Sequence, residues 1–353
     1  MRIRRSLPII LVVLALAAVL TLIVQLRKHA PPEPARLLPS ADAFVYVDLQ
    51  WMRRASLAGQ LPPVSHDPEY EQFIQATGFQ FERDLDETAF AVHYPAAKPG
   101  AKSAAPEEAR FSEVFVGKIQ GERLRAYLRK LSTSVDSYRS VDIFNIPLEG
   151  RTLRVAILGV DTVAASNHSD PLVIRGIVDR SRKLASPFGG PAFLRQYYKD
   201  VPFASLAWAI FRVQPSADHP STGPLDLSFL FPKPAVVVAS VRYLGTVHLK
   251  AEAYTGSAAD AQQLAQQLST FLSIFHSAET SVSAQGPDPD VKQFLDSLKV
   301  EQRDDRAVLS AVVPQGFIRK ALAESPAQLA PQPAPPPNPP PAPPETDRKR
   351  RHK

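Results

Sequence analysis

The chain has no cysteine in 353 residues and only 15 glycines. The first absence excludes a disulfide framework, thiolate metal sites, iron–sulfur clusters, lipoprotein lipidation and cysteine nucleophiles. The second leaves few loops able to cradle phosphate, and the nearest approaches, Gly117-Lys118-Ile119 and Gly100-Ala101-Lys102-Ser103, lack the P-loop spacing. A strongly basic body is missing too, despite a formal charge of +6. Eleven of the 41 basic and three of the 35 acidic residues lie outside 37–325, leaving 30 basic against 32 acidic groups between them. The folded region therefore has no net-charge reason to attract nucleic acid, and the high isoelectric point belongs to the two ends.

What is present begins at the N-terminus. Ile9 to Leu26 carries no formal charge and is almost entirely Leu, Ile, Val and Ala. As a helix its 18 residues rise about 27 Å, close to a hydrocarbon core of roughly 30 Å. Arg2, Arg4 and Arg5 precede it, and retention of that cluster in the cytoplasm sends the C-terminal side across, although Arg27 and Lys28 weaken the bias. The run closes on Leu22-Ile23-Val24-Gln25-Leu26, without the small residues a signal-peptidase site needs, so residues 1–30 read as a retained signal anchor. Pro31-Pro32-Glu33-Pro34 reads as an extended stalk over 31–36. At the other end, 326–344 holds eleven prolines in nineteen positions and leads to the basic run Arg348 to Lys353, so 326–353 reads as a disordered tail. That basic end suits either contact with anionic headgroups or a merely solubilising role.

Between the ends, alternating apolar runs mix with amphipathic helical patterns, which predicts an α+β fold. Strands are expected around 44–47, 89–92, 114–116, 141–146, 153–158 and 162–164, then 204–213, 235–243, 246–254, 299–303 and 307–313. Helices are expected over 68–77, 121–131, 171–183, 190–199, 258–278, 289–298 and 315–324. Short turns such as Arg303-Asp304-Asp305-Arg306 imply mostly antiparallel pairing. Residues 95–110, rich in Ala, Pro, Lys and Glu, read as a mobile loop. Leu124, Leu128 and Leu131 repeat as Leu264, Leu268 and Phe271 at an offset of 140, and Val173, Ile174, Ile177 and Val178 repeat as Phe317, Ile318, Ala321 and Leu322 at 144. This spacing frames two similar lobes, 37–187 and 188–325, each an antiparallel sheet with packed helices. Coincidence between two amphipathic helices gives the same stripes, so both explanations stand at this point.

No catalytic, cofactor-binding or metal-ligating residues are assigned. Ser166, His168 and Asp170 fall within five positions, but a triad is assembled by tertiary structure, and Asp170-Pro171 reads better as a helix cap. The same Asp-Pro pair stands at Asp67-Pro68 and Asp288-Pro289, each before an expected helix. His66, His93, His219, His248 and His276 are scattered singly, without metal-binding spacing. Glu82, Asp84, Asp86 and Glu87 could pair for acid/base work but read as a solvated face. Trp51, Trp208, Tyr197 and Tyr198 could line a groove but read as core.

Leu38-Pro39-Ser40-Ala41-Asp42-Ala43-Phe44-Val45-Tyr46-Val47-Asp48-Leu49 resembles the opening of signal-anchored bacterial envelope proteins grouped under domains of unknown function. Residues 141–178 and 288–324 are similar to segments of such proteins from soil bacteria. The resemblance implies an envelope location and carries over no site residue.

Two functions follow. One is a non-enzymatic binding or scaffolding protein in the bacterial inner membrane, single-pass with its C-terminal domain in the periplasm, taking a protein, glycan or lipid partner. The other is an anchored hydrolase whose site is assembled from distant residues. For the topology, alkaline phosphatase fused after residue 325 of the full N-terminal sequence is expected to be active in cells. Activity of a cytoplasm-only reporter at that junction would refute the orientation.

Overall fold

The computed structural model describes residues 30–54, 66–94, 109–182, 189–214, 230–282 and 289–318. In chain order its elements are α1 (Glu33–Leu37), β1 (Ala43–Asp48), α2 (Leu49–Arg54), α3 (Pro68–Thr77), α4 (Phe81–Asp84), β2 (Leu85–His93), β3 (Arg110–Gly117) and α5 (Gly121–Leu131). Next come β4 (Ser134–Tyr138), β5 (Val141–Leu148), β6 (Arg151–Ile157), β7 (Thr162–Ser166), α6 (Leu172–Arg182) and α7 (Ala192–Tyr198). The chain continues with β8 (Ser205–Val213), β9 (Ala235–Tyr243), β10 (Val247–Tyr254), α8 (Ala258–Val282), α9 (Pro289–Ser297), β11 (Lys299–Arg303) and β12 (Arg306–Val313). The fold is α+β.

Local chemistry accounts for several boundaries. Asp67 accepts the Tyr70 amide at 2.7 Å, Pro68 occupies the first turn where no N–H is needed, and Gly78 ends α3 in the left-handed region at φ 71°. Asp170 likewise accepts the Leu172 amide at 2.8 Å at the start of α6. Asp288 lies outside the described residues. The turn Arg303-Asp304-Asp305-Arg306 closes the β11–β12 hairpin, with Asp304 at φ 49° and Arg303 paired to Arg306.

All twelve strands join one sheet in the order β11-β12-β10-β9-β8-β1-β2-β3-β7-β6-β5-β4, and every pairing is antiparallel. The spans 37–187 and 188–325 supply contiguous halves of it, meeting where β1 pairs β8 about Val45 opposite Ala209. Outward from that junction the two halves read alike: β1-β2-β3-β7-β6 on one side and β8-β9-β10-β12-β11 on the other.

Because side chains alternate along each strand, register fixes the two faces. On the first face Phe44, Tyr46, Ala89, Ala91, Val114, Ala164, Ala156 and Ile143 meet Trp208, Ile210 and Val238 beneath α1, α6 and α7, the largest buried cluster. On the second face α5 lays Leu124 and Leu128 over Phe144, Val155 and Val163, while α8 lays Leu264 and Leu268 over Val237, Ala253 and Ala307. Both helices follow the third strand of their half and cover the same face.

Two expectations need correction, and one strand, β4, has no counterpart among those expected. The stalk expected over 31–36 becomes, from Glu33, the helix α1, with Pro34, Ala35 and Leu37 buried against the sheet, because Pro is tolerated in a first turn and the apolar residues behind it find a core. Ser134–Tyr138, too polar to read as a strand, pairs with β5 at the sheet's edge, where Asn145 bonds Ser134 and Asp136. The acidic cluster is no solvated face, as described below. The expected span Ile9–Leu26, most of the 95–110 loop and the 326–353 tail lie outside the described residues, among which no helix is long and apolar enough to cross a membrane.

At Gly117, the end of β3, an added Cβ would sit 2.3 Å from the Asp84 carbonyl oxygen, itself bonded to the Lys118 amide at 2.8 Å. Gly117→Ala is therefore expected to cost about 1–3 kcal/mol in urea unfolding, as overpacking does. Gly121→Ala, whose Cβ meets nothing within 4 Å, is the control and should be neutral or stabilising. Equal midpoints for the two variants would disprove the close approach.

Candidate functional site

The site begins with aromatic residues clustered in sequence. Tyr70, Phe73, Phe79 and Phe81 fall within twelve positions, and α3, the Gly78 turn and α4 fold them onto one another. Phe73 stacks on Phe81 with centroids 5.6 Å apart, Phe79 meets Phe81 edge-on at 5.3 Å, and Phe81 reaches Phe115 on β3 at 6.5 Å. Thr77 ties the turn, donating to the Phe73 carbonyl at 2.8 Å and accepting the Phe79 amide at 3.2 Å.

This aromatic wall stands beside α5 over the second face of the sheet, where strand alternation presents Phe111, Glu113 and Phe115. Wall, helix and sheet do not close completely. They enclose a cavity of about 340 Å³, completed by Ile119, Leu148, Leu153, Val155, Val163 and Ala165. Small-molecule sites run from about 300 to 1,000 Å³ and are mostly apolar with a few placed polar groups. At its rim Phe81, Phe111 and Leu148 are 41%, 39% and 47% exposed and form an apolar mouth.

One side chain in the cavity is out of keeping. Glu113 lies between Phe90 and Ala165 in register and between Phe111 and Phe115 along its strand. Among the described residues no hydrogen bond or ion pair reaches its carboxylate, and burial alone raises its pKa, with no neighbouring charge contributing. The other polar lining groups are engaged. Asn167 accepts the Phe111 amide at 2.6 Å, Ser166 Oγ lies 3.0 Å from Ser112 Oγ, and Gln120 accepts from Arg123 at 3.3 Å.

Of the four acidic residues next to the wall, Glu82 and Asp84 hold it in place, while Asp86 and Glu87 are engaged elsewhere. Glu82 accepts the Tyr70 hydroxyl at 2.7 Å and faces His66 Nε2 at 2.7 Å, while His66 Nδ1 faces Glu71 at 2.7 Å. Burial would raise Glu82, but hydrogen bonds from Tyr70, its own amide, Gln80 and His66 outweigh it and hold the carboxyl at about 2. Asp84 is buried, caps α4 through the Gln80 amide at 3.0 Å and pairs with Arg83 at 2.6 Å, which lowers its pKa. Asp86 pairs with Arg53, and Glu87 accepts the Tyr46 hydroxyl at 2.9 Å. An open depression of about 560 Å³ runs past Asp84, Asp86, Lys118 and Asp161, but its aspartates at 84 and 86 already have arginine partners, so it offers no comparable vacancy of chemistry.

The Ser-His-Asp segment forms no triad. Asp170 Oδ1 caps α6, and His168 Nδ1 accepts the Asp170 amide at 3.1 Å. Tertiary structure does bring His93 Nε2 within 3.2 Å of Ser112 Oγ, with the His168 ring 5.0 Å from that of His93. Burial and then His168 lower the His93 pKa, but Ser112 is 0% exposed and bonds Ser166, so no substrate can reach it. His248 bonds only Thr246, at 3.1 Å. Trp208 is 2% exposed, stacked on Tyr46 at 5.5 Å and edge-on to Tyr198 at 5.3 Å; Tyr197 packs on the same core, and Trp51 is exposed. Among the described residues no group of three His, Asp or Glu could hold a metal ion.

No protein-family model and no curated protein matches the chain. Solved structures of TP0453 are similar at low identity. Crystal form IV is 7% identical with a TM-score of 0.43, covering 83% of this chain and 97% of that one. Crystal form III is 10% identical with a TM-score of 0.42, covering 83% and 98%.

The His66 clasp makes the wall pH-sensitive. Hydrogen bonds to Glu71 and then Glu82 raise the His66 pKa, so its contribution is complete below the ordinary value of about 6.5 and fades as pH rises through the higher folded value. The difference in urea midpoint between wild type and His66→Asn should therefore be largest near pH 6 and shrink above it. A difference that is flat or grows with pH would refute the clasp.

Proposed function

We propose that this chain is a membrane-anchored envelope protein of the binding type, held in the inner membrane by residues 9–26 with its folded domain in the periplasm, and that the domain takes an apolar or amphipathic small molecule into the cavity between α3, α5 and the sheet. The observation that carries this reading is the cavity itself: five phenylalanines and a shell of aliphatic side chains around about 340 Å³, opening through an exposed apolar rim. An apolar cavity of roughly 150 Å³ stays dry and holds benzene, so this one has room for about a dozen carbon atoms. Lipid is therefore the partner favoured among protein, glycan and lipid.

The halves on either side of the β1–β8 junction are read as copies of one ancestral unit. Their matching strand order and the shared placement of Leu124 and Leu128 with Leu264 and Leu268 support this over coincidence. The cavity occurs on the copy that acquired the α3–α4 wall. The hydrolase alternative would need an accessible serine beside a histidine oriented by a carboxylate, and the Ser112–His93 contact is buried without one.

The test uses full-length protein in membrane vesicles with a diazirine-bearing alkyl alcohol, irradiated and mapped by peptide mass spectrometry. Labelling is expected within 111–115 and 148–155 and should be competed by unlabelled alcohols. Competitor affinity should rise about fourfold per added methylene until the cavity is full, from about 0.8 kcal/mol per buried CH₂. Ala165→Trp, which fills the cavity, should abolish it. Labelling spread evenly over the surface, or indifferent to competitor and plug, would refute the reading.

A further inference from the structure

Charge and hydrogen bonding inside the cavity narrow its ligand further, and this step rests on the cavity being the binding site. A carboxylate placed among Phe111, Phe115 and Phe90 is costly to keep, because burial in apolar surroundings disfavours the ionised form unless a partner compensates. Elsewhere in this half the protein supplies such partners: Asp84 has Arg83, Asp86 has Arg53, Glu87 has Tyr46 and Glu82 has Tyr70 and His66. Glu113 has none, and it is the one titratable side chain lining the cavity, among the described residues. The remaining polar groups at the lining are Thr77, Gln120, Ser166 and Asn167, each already bonded to protein.

From this geometry we infer that Glu113 is the head-group anchor of the cavity, and that the ligand is a single-chain amphiphile whose head donates hydrogen bonds and bears no negative charge, an amine or a hydroxyl.

Either protonation state of Glu113 accommodates an amine or a hydroxyl head. An ionised carboxylate pairs with an ammonium or accepts from a hydroxyl. A protonated one still accepts from a hydroxyl or an amine through its carbonyl oxygen. A fatty-acid carboxylate would put two acids in one apolar site, where at least one must take up a proton before both can stay. Among the described residues no cation lines the cavity to offset that cost. The volume favours one chain: a cavity about twice the size that holds benzene does not admit two tails.

Three diazirine probes with one alkyl chain and alcohol, amine or carboxylate heads are compared at pH 7 on full-length wild type and Glu113→Gln in the same vesicles. Cavity-peptide labelling by the carboxylate probe should be at least tenfold weaker than by the better of the other two. Glu113→Gln should bring the carboxylate within about twofold of the alcohol and weaken the amine. A preference for amine over alcohol marks an ionised anchor and the reverse a protonated one; either order supports the inference. Equal labelling by all three heads in wild type, or discrimination unchanged in Glu113→Gln, overturns it while leaving the cavity reading intact. Failure of every probe to label the cavity in both proteins overturns both. Because Gln removes a charge from apolar surroundings, the variant should be no less stable than wild type in urea, which separates lost selectivity from lost folding.

Discussion

The pairing of β1 with β8 is the constraint on which the rest of the molecule depends. Five residue pairs from Ala43–Phe211 to Val47–Ala207 join two halves that would otherwise each expose a long apolar strand edge. Across this seam Tyr46 stacks on Trp208, and Phe44 and Ile210 are fully buried, so one hydrophobic cluster spans both halves. Backbone hydrogen bonds set the register and side-chain burial makes it unique, because a slip of one residue would turn Tyr46 and Phe44 to the opposite face. The short helix α7 packs on β8 and α1 on β2 and β3, so the first described residues are part of the core.

The second face is built differently. There α5 buries only the stripe Leu124–Leu128, and the strands beneath it are wider than one helix can cover. The neighbouring ground is taken by aromatic rings that contact one another edge-on and stacked, an arrangement that keeps centroids 5 to 7 Å apart and fills space less closely than aliphatic packing. Hydrogen bonds fix those rings from outside, through Tyr70 to Glu82 and through Thr77 across the Gly78 turn. The cavity is thus held open by polar contacts at its periphery, and its interior is left to apolar side chains and one acid.

Much of the fold was readable in the chain. Strong periodicity placed helices over 68–77 and 121–131 and strands over 235–243 and 307–313 within a residue of where they form, since these segments carry a clear apolar stripe, several with a boundary signal such as Asp67-Pro68 or an Asp-Asp turn. What local pattern could not convey was partnership. Ser134–Tyr138 is a strand only because β5 is beside it, and α1 is a helix because a core awaits Ala35. The acidic residues at 82, 86 and 87 looked solvated because their partners, His66, Tyr70, Arg53 and Tyr46, lie up to 41 positions away. The cavity was missed for the same reason. Its signal was present as Phe111-x-Glu113-x-Phe115, an acid where alternation calls for an apolar side chain, together with the aromatic density at 70–81. Only the fold brings those two segments to one place.

The two outermost strands have a further consequence. β4 and β11 are each five residues long, largely solvent-facing, and carry Asp136 on one and Lys299, Glu301 and Arg303 on the other. Short, charged margins are poor templates for another chain's backbone. A sheet this wide would otherwise invite copies to add side by side into a fibril. By ending in polar strands at both sides, the sheet keeps its margins from seeding such growth, so that copies can meet edge to edge without polymerising.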